Sequence, residues 1–486
     1  MTTTPPPIYL PASEVLERFR GGSLTPSAYA AELLAHINAT EGTINATTGE
    51  RLPIDEALAE ADQRYADGTA RPLEGLPVVL KEEQSIKGHP ETNGSPLFAD
   101  DIAEETHPII TRIAEAGGIP FVRSTTPEFC IAGYTRGKLW GITRNPWNPK
   151  FAVGGSSGGS GASLAAGYAP LATGSDIGGS TRIPASFNGV VGYKPPYGRN
   201  PAPAPTNLDR YCTDGPMART VADVALLQNV ISGQHADDPV SLPCPPTLVP
   251  NGDLTGKRIA LAVTVGNYGV QQDVREAVAA TQAWLEAAGA TVTQITVPIN
   301  HDFVLETALT HFGSIFVPWI EAVVGEEGKH MLEPYTVQAV EGSRAAFAKH
   351  GVLGGLAREV EVHEEVAKIF AEYDALVCPV AGVPALLADE YYMDGITIEG
   401  THFEQYLSIA PTTIFNIANR NPVLAVPVAR SADDVPIGVQ VVGAPYAEAI
   451  VFDVGAALEA GRGAWYQDES ERPAYGARTG EVASAV

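Results

Sequence analysis

The sequence predicts an α/β fold in which helices cover a β-sheet. Three observations carry this. Strand-like and helix-like periodicities alternate almost from end to end of the 486 residues, the pattern of layered α/β architecture. Residues 258–297 read strand, helix, strand, a βαβ unit. No linker rich in Pro, Ser or charge divides the chain: PAPAP after Asn200 and CPPTLVPNG around Cys244 are short enough to be surface loops, and no segment repeats at a fixed period. One large domain is expected.

The chain opens with helices. Thr25-Pro26 supplies a capping residue and a first-turn proline ahead of the Ala/Leu-rich stretch Ser27 to Ile37. A second amphipathic stretch runs from Asp55 to Tyr65 and stops at Asp67-Gly68. The first clear strand is Val78 to Leu80 within GLPVVLKEE, a short apolar run bounded by turn residues. Further strands are predicted at Ile119 to Val122, Gly189 to Tyr193, Arg258 to Val263, Ala375 to Val377, Val423 to Val428 and Ile437 to Val442. Helices are predicted between them at Pro108 to Ala116, Val221 to Ile231, Val274 to Ala288, Phe403 to Asn419 and Glu448 to Ala460. Residues 1–70 thus read as a helical layer packed on the core that follows, and 477–486 as a C-terminal tail.

Composition narrows the function classes. Thirty-one Lys and Arg against 57 Asp and Glu leave a net charge of −26, which disfavours attraction to phosphate backbones and anionic membrane surfaces. Only 18% of residues are charged, and 49 Gly with 39 Pro imply tight turns around apolar segments, unlike a disordered acidic chain. Cys130, Cys212, Cys244 and Cys378 are far apart and form no CxxC pair, so they read as ordinary thiols of a reducing compartment and not as metal ligands. The N-terminus lacks the basic start and apolar stretch of a secretion signal, and no segment is apolar over the ~18 residues a bilayer span needs. A soluble cytoplasmic protein is expected, in which the N-x-T sequons at Asn38 and Asn45 carry no sugar.

One segment stands apart. Residues 154–161, GGSSGGSG, are all glycine or serine. Such an octet reads either as a flexible linker or as backbone brought very near a ligand. The alanine-rich ASLAAG that follows, and a second Gly/Ser turn from Gly174 to Ser180 within about 20 residues, favour the latter. A phosphate loop is not indicated, because neither the GK[ST] ending nor a GxGxxG fingerprint is present. The chemistry suggested is nucleophilic. A serine hydroxyl needs a nearby base to attack a carbonyl, and a tetrahedral oxyanion needs converging N–H groups that a side-chain-poor turn can present. Ile177-Gly178-Gly179-Ser180 offers both. None of the ten histidines lies in these turns, and Ser180 reads GGSTR instead of G-x-S-x-G, so no Ser-His-Asp triad is indicated locally. Lys81, ending the apolar strand, has two readings: a strand-end lysine reaching solvent, or a buried amine whose charged form desolvation penalises, leaving it neutral and able to take a proton.

Together GLPVVLKEE, TRNPWNP, GGSSGGSG, GSDIGGSTRIPASFNGVVGYKP, GPMARTVADVALL and VPIGVQVVGAPYAE resemble the amidase signature family, in that family's order from Leu76 to Glu448. Seventy-five residues separate Lys81 from Ser156 and 24 separate Ser156 from Ser180, spacings of the kind the family shows. The resemblance implies a central mixed β-sheet covered by helices on both faces, within a domain spanning 71–476. It implies Ser180 as the acyl-forming nucleophile, Ser156 as a bridging serine on a cis peptide bond, and Lys81 as the neutral base. The amides of Ile177, Gly178, Gly179 and Ser180 would form the oxyanion hole, with Ser157, Asp176 and Arg182 supporting it by hydrogen bonds. No metal or organic cofactor is implied, since the relay performs both proton transfers. The family builds its substrate pocket from variable segments, here about 298–357. Phe303, His311, Phe312, Phe316, Trp319 and Tyr335 there read as pocket or as plain core. The TTPEFC turn, with Thr126, Phe129 and Cys130, is expected near the substrate. No base is evident beside Cys130, so it is not the nucleophile.

The function expected is a stand-alone amidohydrolase acting on linear amides, with aryl amides, carbamates (urethanase activity) or esters as related substrates. The alternative within the family is an amidotransferase component that supplies ammonia to a partner enzyme. A non-catalytic binding protein would require loss of Lys81, Ser156 or Ser180, and all three are present. The partners implied are a small-molecule amide or carbamate and, at most, a second copy of the chain, with neither nucleic acid nor membrane.

Overall fold

Among the residues that the computed structural model describes, 6–463 and 465–479, ten strands pair into one mixed sheet. They are β1 (Pro77–Lys81), β2 (Ile119–Ser124), β3 (Leu171–Asp176), β4 (Val191–Lys194), β5 (Thr213–Ala218), β6 (Arg258–Leu261), β7 (Thr291–Gln294), β8 (Ala375–Pro379), β9 (Val423–Arg430) and β10 (Pro436–Gly443). Their spatial order is β2-β1-β3-β5-β4-β9-β10-β8-β6-β7. The ends β2-β1-β3 and β8-β6-β7 are parallel, and the middle is antiparallel. The helices are α1 (Ala12–Arg20), α2 (Pro26–Ile44), α3 (Asp55–Ala66), α4 (Pro108–Glu115), α5 (Gly158–Ala166), α6 (Arg182–Asn188), α7 (Val221–Ile231), α8 (Gln272–Ala287), α9 (His301–Gly328), α10 (Pro334–Phe370), α11 (Ile414–Ile417) and α12 (Glu448–Arg462).

Successive side chains of a strand point to opposite faces, and both faces here are covered. On β8, Ala375 and Val377 join an apolar cluster with Val274 and Val278 of α8 and Val454 and Leu458 of α12. Leu376 and Cys378 join another with Val304 of α9, Val362 and Val366 of α10 and Ile414 of α11. A parallel strand covered in this way reads as a continuous apolar run, which is why β1, buried along its whole length, is legible in the sequence. The βαβ unit forms as expected, with β6 and β7 parallel neighbours joined through α8. Before the sheet, the Thr25 hydroxyl caps α2 by accepting from the Ala28 amide at 3.2 Å. The amides of Ala12 and Ser13 donate to Asp223 of α7 at 2.8 and 3.0 Å, tying the N-terminal helices to the body.

The octet 154–161 is buried throughout and leads into α5, so it is no linker. A Cβ on Gly159 would stand 2.5 Å from the Thr125 amide nitrogen, which leaves room only for glycine.

Several expectations are corrected. The single helix expected over Phe403 to Asn419 is instead two short 3₁₀ turns, Tyr406–Ile409 and Pro411–Thr413, followed by α11. Pro411 has no N–H to continue a helix, and the side chains of Thr412, Thr413 and Asn416 are drawn to the loop after β3. β3 and β5 were not expected as strands, because LATGSD and TDGPMA lack apolar alternation. The variable stretch of about 298–357 forms α9 and most of α10, which pack against each other. His301–Met331 is long and apolar enough to cross a membrane by length and composition, with an 18-residue window at a mean hydropathy of 1.3, contrary to the expectation that no segment would be. Its apolar character has a local use, since 44% of that window is buried within the protein, against α10 and the cavity described below. Of the expected tail, Ala477–Thr479 forms one 3₁₀ turn, and 480–486 lie outside the described residues.

Candidate active site

Lys81 ends β1 with its side chain fully buried, so the solvent-reaching alternative does not hold. Its amide donates to Thr173 Oγ1 at 3.1 Å, which places it against β3. Its Nζ donates to Ser156 Oγ and to Ser175 Oγ, both at 2.7 Å, and lies 3.1 Å from Glu83 Oε2. Burial works against the Lys81 ammonium, while Cys130, Glu83 and Cys212 in anionic form work for it, and the balance lies above the ordinary lysine value. Burial pushes the Cys130 thiol up to about 12 and the Cys212 thiol well above its usual range. At neutral pH both thiols are therefore uncharged, and the carboxylate facing Lys81 is that of Glu83.

The two Gly/Ser turns are bonded to each other. The Ser157 amide donates to the Ser180 carbonyl at 3.1 Å, and Ser157 Oγ donates to the Ser175 carbonyl at 3.3 Å. The Gly155–Ser156 peptide bond is cis. Asp176 then organises the turn that carries Ser180, accepting from the amides of Gly179 at 2.8 Å and Thr181 at 3.2 Å. Arg182 grips the same carboxylate at two points, each 2.9 Å, and its remaining N–H groups go to the Thr412 carbonyl, Gln440 Oε1 and Asn416 Oδ1. All five guanidinium donors are thereby used. Burial alone would raise the Asp176 carboxyl, but Arg182 and Asn416 bring it below the ordinary aspartate value.

The Gly178 carbonyl is turned back to accept from the hydroxyls of Thr412 at 2.7 Å and Thr413 at 3.2 Å. Among the described residues, no acceptor meets the amides of Ile177, Gly178 or Ser180. Gly179 departs from expectation: its amide is occupied by Asp176 and cannot face a substrate. Its backbone, at φ 123°, suits glycine, and a Cβ there would collide with the Thr412 side chain.

A cavity of about 120 Å³ opens on Ser180, of the order of a void that holds one benzene ring. Gly155, Ile177, Gly178 and Ile183 form its floor, Leu305, Ala308, Phe312 and Phe316 of α9 one wall, and Ala339 and Val340 of α10 another. No Asp, Glu, Lys, Arg or His lines it among the described residues. Of the residues expected near the substrate, Cys130, Phe312 and Phe316 line it. Thr126, Phe129 and Trp319 do not. Phe129 is edge-on to both Trp319 and Phe98 in an apolar cluster that adjoins the cavity through Phe316 and Ile320, and Thr126 Oγ1 contacts the Cys130 sulfur at 3.1 Å. Phe303, His311 and Tyr335 also face elsewhere, against Arg358, Asp209 and Arg136 respectively.

The sequence profile of the family described as Amidase matches residues 30–452. The chain belongs to the amidase signature family. Among amidase signature relatives, it is 30% identical to a glutamyl-tRNA(Gln) amidotransferase subunit of Chloroflexus aggregans, over 93% of this chain and 96% of that protein. It is also 30% identical to an acylamidase of Rhodococcus erythropolis, again over 93% and 96%. A crystal structure of a bacterial aryl acylamidase of the amidase signature family shares its fold, with a TM-score of 0.84 over 93% of this chain and 96% of that one, at 24% identity. As an amidase signature enzyme the chain is a hydrolase of amides.

Residues of this amidase site that were not singled out from the sequence include Ser175, Glu83, Asn416 and Gln440. Ser175 carried a usable signal. It lies two positions after Thr173, so both hydroxyls leave β3 on one side, toward Lys81. Asn416 and Gln440 lie 234 and 258 residues from Arg182, beyond any local pattern.

The buried Asp176–Arg182 pair sets an expected result. Arg182→Leu strands the carboxylate and should destabilise the fold by about 3–5 kcal/mol, with loss of activity. Urea unfolding measures this, and a variant within ~1 kcal/mol of the parent would show that the pair is not structurally required.

Proposed function

We propose that this amidase acts alone, hydrolysing carboxamides that carry an apolar or aryl group, with carbamates and esters within the same chemistry. The observation that carries the reading is the uncharged, apolar cavity opening on Ser180. An apolar ring gains by leaving water there, whereas a charged amide donor would lose its hydration with no side-chain partner in return.

The geometry supports the following sequence. Neutral Lys81 takes the proton of Ser156 Oγ, 2.7 Å away, as Ser156 takes the proton of Ser180. Ser180 Oγ bonds to the carbonyl carbon, and the carbonyl π electrons move to oxygen, where the open amides of Ile177, Gly178 and Ser180 receive the negative charge. The electrons return, the C–N bond breaks, and Lys81 gives its proton back through Ser156 to the departing amine. Water enters by the same relay and releases the acid from Ser180. Asp176 and Arg182 keep the loop in the shape that leaves those amides open.

The relatives named as amidotransferase components support a second reading, in which the chain supplies ammonia to a partner enzyme. Purified chain offered an anilide of an apolar acid, and separately glutamine, distinguishes the two. Turnover of the anilide with no added protein is expected; turnover of glutamine only, and only with a partner, would overturn the proposal. The cavity is tested by Phe316→Ala. Loss of a ring contact worth about 1.5–3 kcal/mol should lower kcat/KM for the aryl substrate by roughly 10- to 100-fold while leaving acetamide little changed. Equal losses on both substrates would place the aryl group elsewhere.

A further inference from the structure

We propose that Glu83 is a positioning residue for Lys81: its carboxylate orients the amine toward Ser156 and stabilises the positive charge that forms as Lys81 takes up the proton. This rests on the reading of Lys81 as the base. Three oxygens surround Nζ: Ser156 Oγ, Ser175 Oγ and Glu83 Oε2. An ammonium has three N–H groups for three acceptors. A neutral amine has two, and it also needs its lone pair aimed at the proton of Ser156. With one N–H held by Glu83 and the other by Ser175, the lone pair faces Ser156. When the proton arrives, an ammonium forms in a fully buried place, 3.1 Å from a carboxylate. That is the task the buried aspartate performs for the imidazolium of a Ser-His-Asp triad. Charges balance: as the substrate oxygen becomes anionic, Lys81 becomes cationic, and the Glu83 carboxylate keeps its proton count.

The carboxylate is itself held. Cys130 Sγ donates to Glu83 Oε2, and Thr126 Oγ1 meets the same sulfur at 3.1 Å. Phe129 and Cys130 are consecutive non-glycine residues at φ 50° and 57°, a costly backbone for side chains of this size. That backbone turns the thiol onto Glu83 while Cys130 stays on the cavity wall. The other titratable groups facing Lys81 are Cys130 from this turn and Cys212 from the loop before β5, both thiols at neutral pH. Glu82, the intervening residue, is turned away and accepts from the amide and hydroxyl of Thr92.

The test is the pH profile of kcat/KM on an apolar anilide for the full chain and for Glu83→Gln, Glu83→Ala and Glu83→Asp. Glu83 is 20% exposed in its side chain, so two neutral replacements guard against one that fails to fold. In Gln and Ala the acidic limb should move to lower pH by about one unit or more, and the alkaline plateau should fall by roughly tenfold or more. Asp, which keeps the charge, should return the limb toward the parent's position. A limb that stays in place in both neutral variants, whatever the loss of rate, overturns the assignment. Lys81→Ala separates the two failures. If that variant remains active, the base reading falls; if it is dead while the Glu83 limb is unmoved, only Glu83 is misassigned.

Discussion

Replacing Ser180 by alanine should abolish covalent labelling by a fluorophosphonate and lower amide hydrolysis by about 10⁴-fold or more. Placement is the reason. Ser180 is the hydroxyl at the end of a turn in which the amides of Ile177, Gly178 and Ser180 lack an acceptor among the described residues, and it opens on the apolar cavity. Ser156 and Ser175 are engaged by Lys81, and Ser157 by the backbone of Ser175. Removing one oxygen leaves the Asp176–Arg182 support intact, so a folded but unlabelled chain is expected. Intact-mass spectrometry measures it: one adduct per parent chain and none on Ser180→Ala. An adduct that persists would move the nucleophile to another serine.

Lys81→Ala should lower kcat by several orders of magnitude, and Lys81→Met, which preserves most of the buried volume, should do the same. A loss below tenfold in both would remove the lysine from the relay. The pH dependence follows from the direction of its titration. On the reading of Lys81 as the base the neutral amine is the active form, and the Glu83 carboxylate 3.1 Å away favours the ammonium. The active fraction therefore grows as pH rises, so the rate should be higher at pH 9 than at pH 7 and lower again at pH 6. A profile peaking at pH 5 would contradict a lysine base. The parent and the folded Glu83 variants can be read in the same titration.

What was legible in the sequence, and what was not, divides along physical lines. α2, β1, α7 and the β6-α8-β7 unit were readable because capping residues and apolar periodicity are local signals. β3 and β5 were not, because the sheet there is built from Thr, Ser, Gly and Asp that face the site; function has displaced the apolar alternation that marks a strand. Phe403 to Asn419 carried a helical pattern, yet Pro411 interrupts it and Thr412 and Thr413 are held to the Gly178 carbonyl, so only Ile414–Ile417 is α-helical. At the site, Lys81, Ser156, Ser157, Asp176, Ser180 and Arg182 are brought together. The glycine-rich turns could be read as close approach, but not which amide remains open. That Gly179 is spent on Asp176 depends on a side-chain orientation, and orientation leaves no trace in composition. The pocket residues on α9 were half readable for a similar reason. Phe316 and Trp319 are one helical turn apart, and only the packing partner, the cavity in one case and Phe129 in the other, decides their roles.

The brace on Arg182 has a consequence for the order in which the chain is made. Thr412, Asn416 and Gln440, which hold Arg182 and the Gly178 carbonyl, are translated more than 200 residues after Lys81, Ser156 and Ser180. A growing chain thus carries Lys81, Ser156 and Ser180 well before the loop around them can be locked. A chain that stops short of Gln440 lacks the side chains that lock this loop.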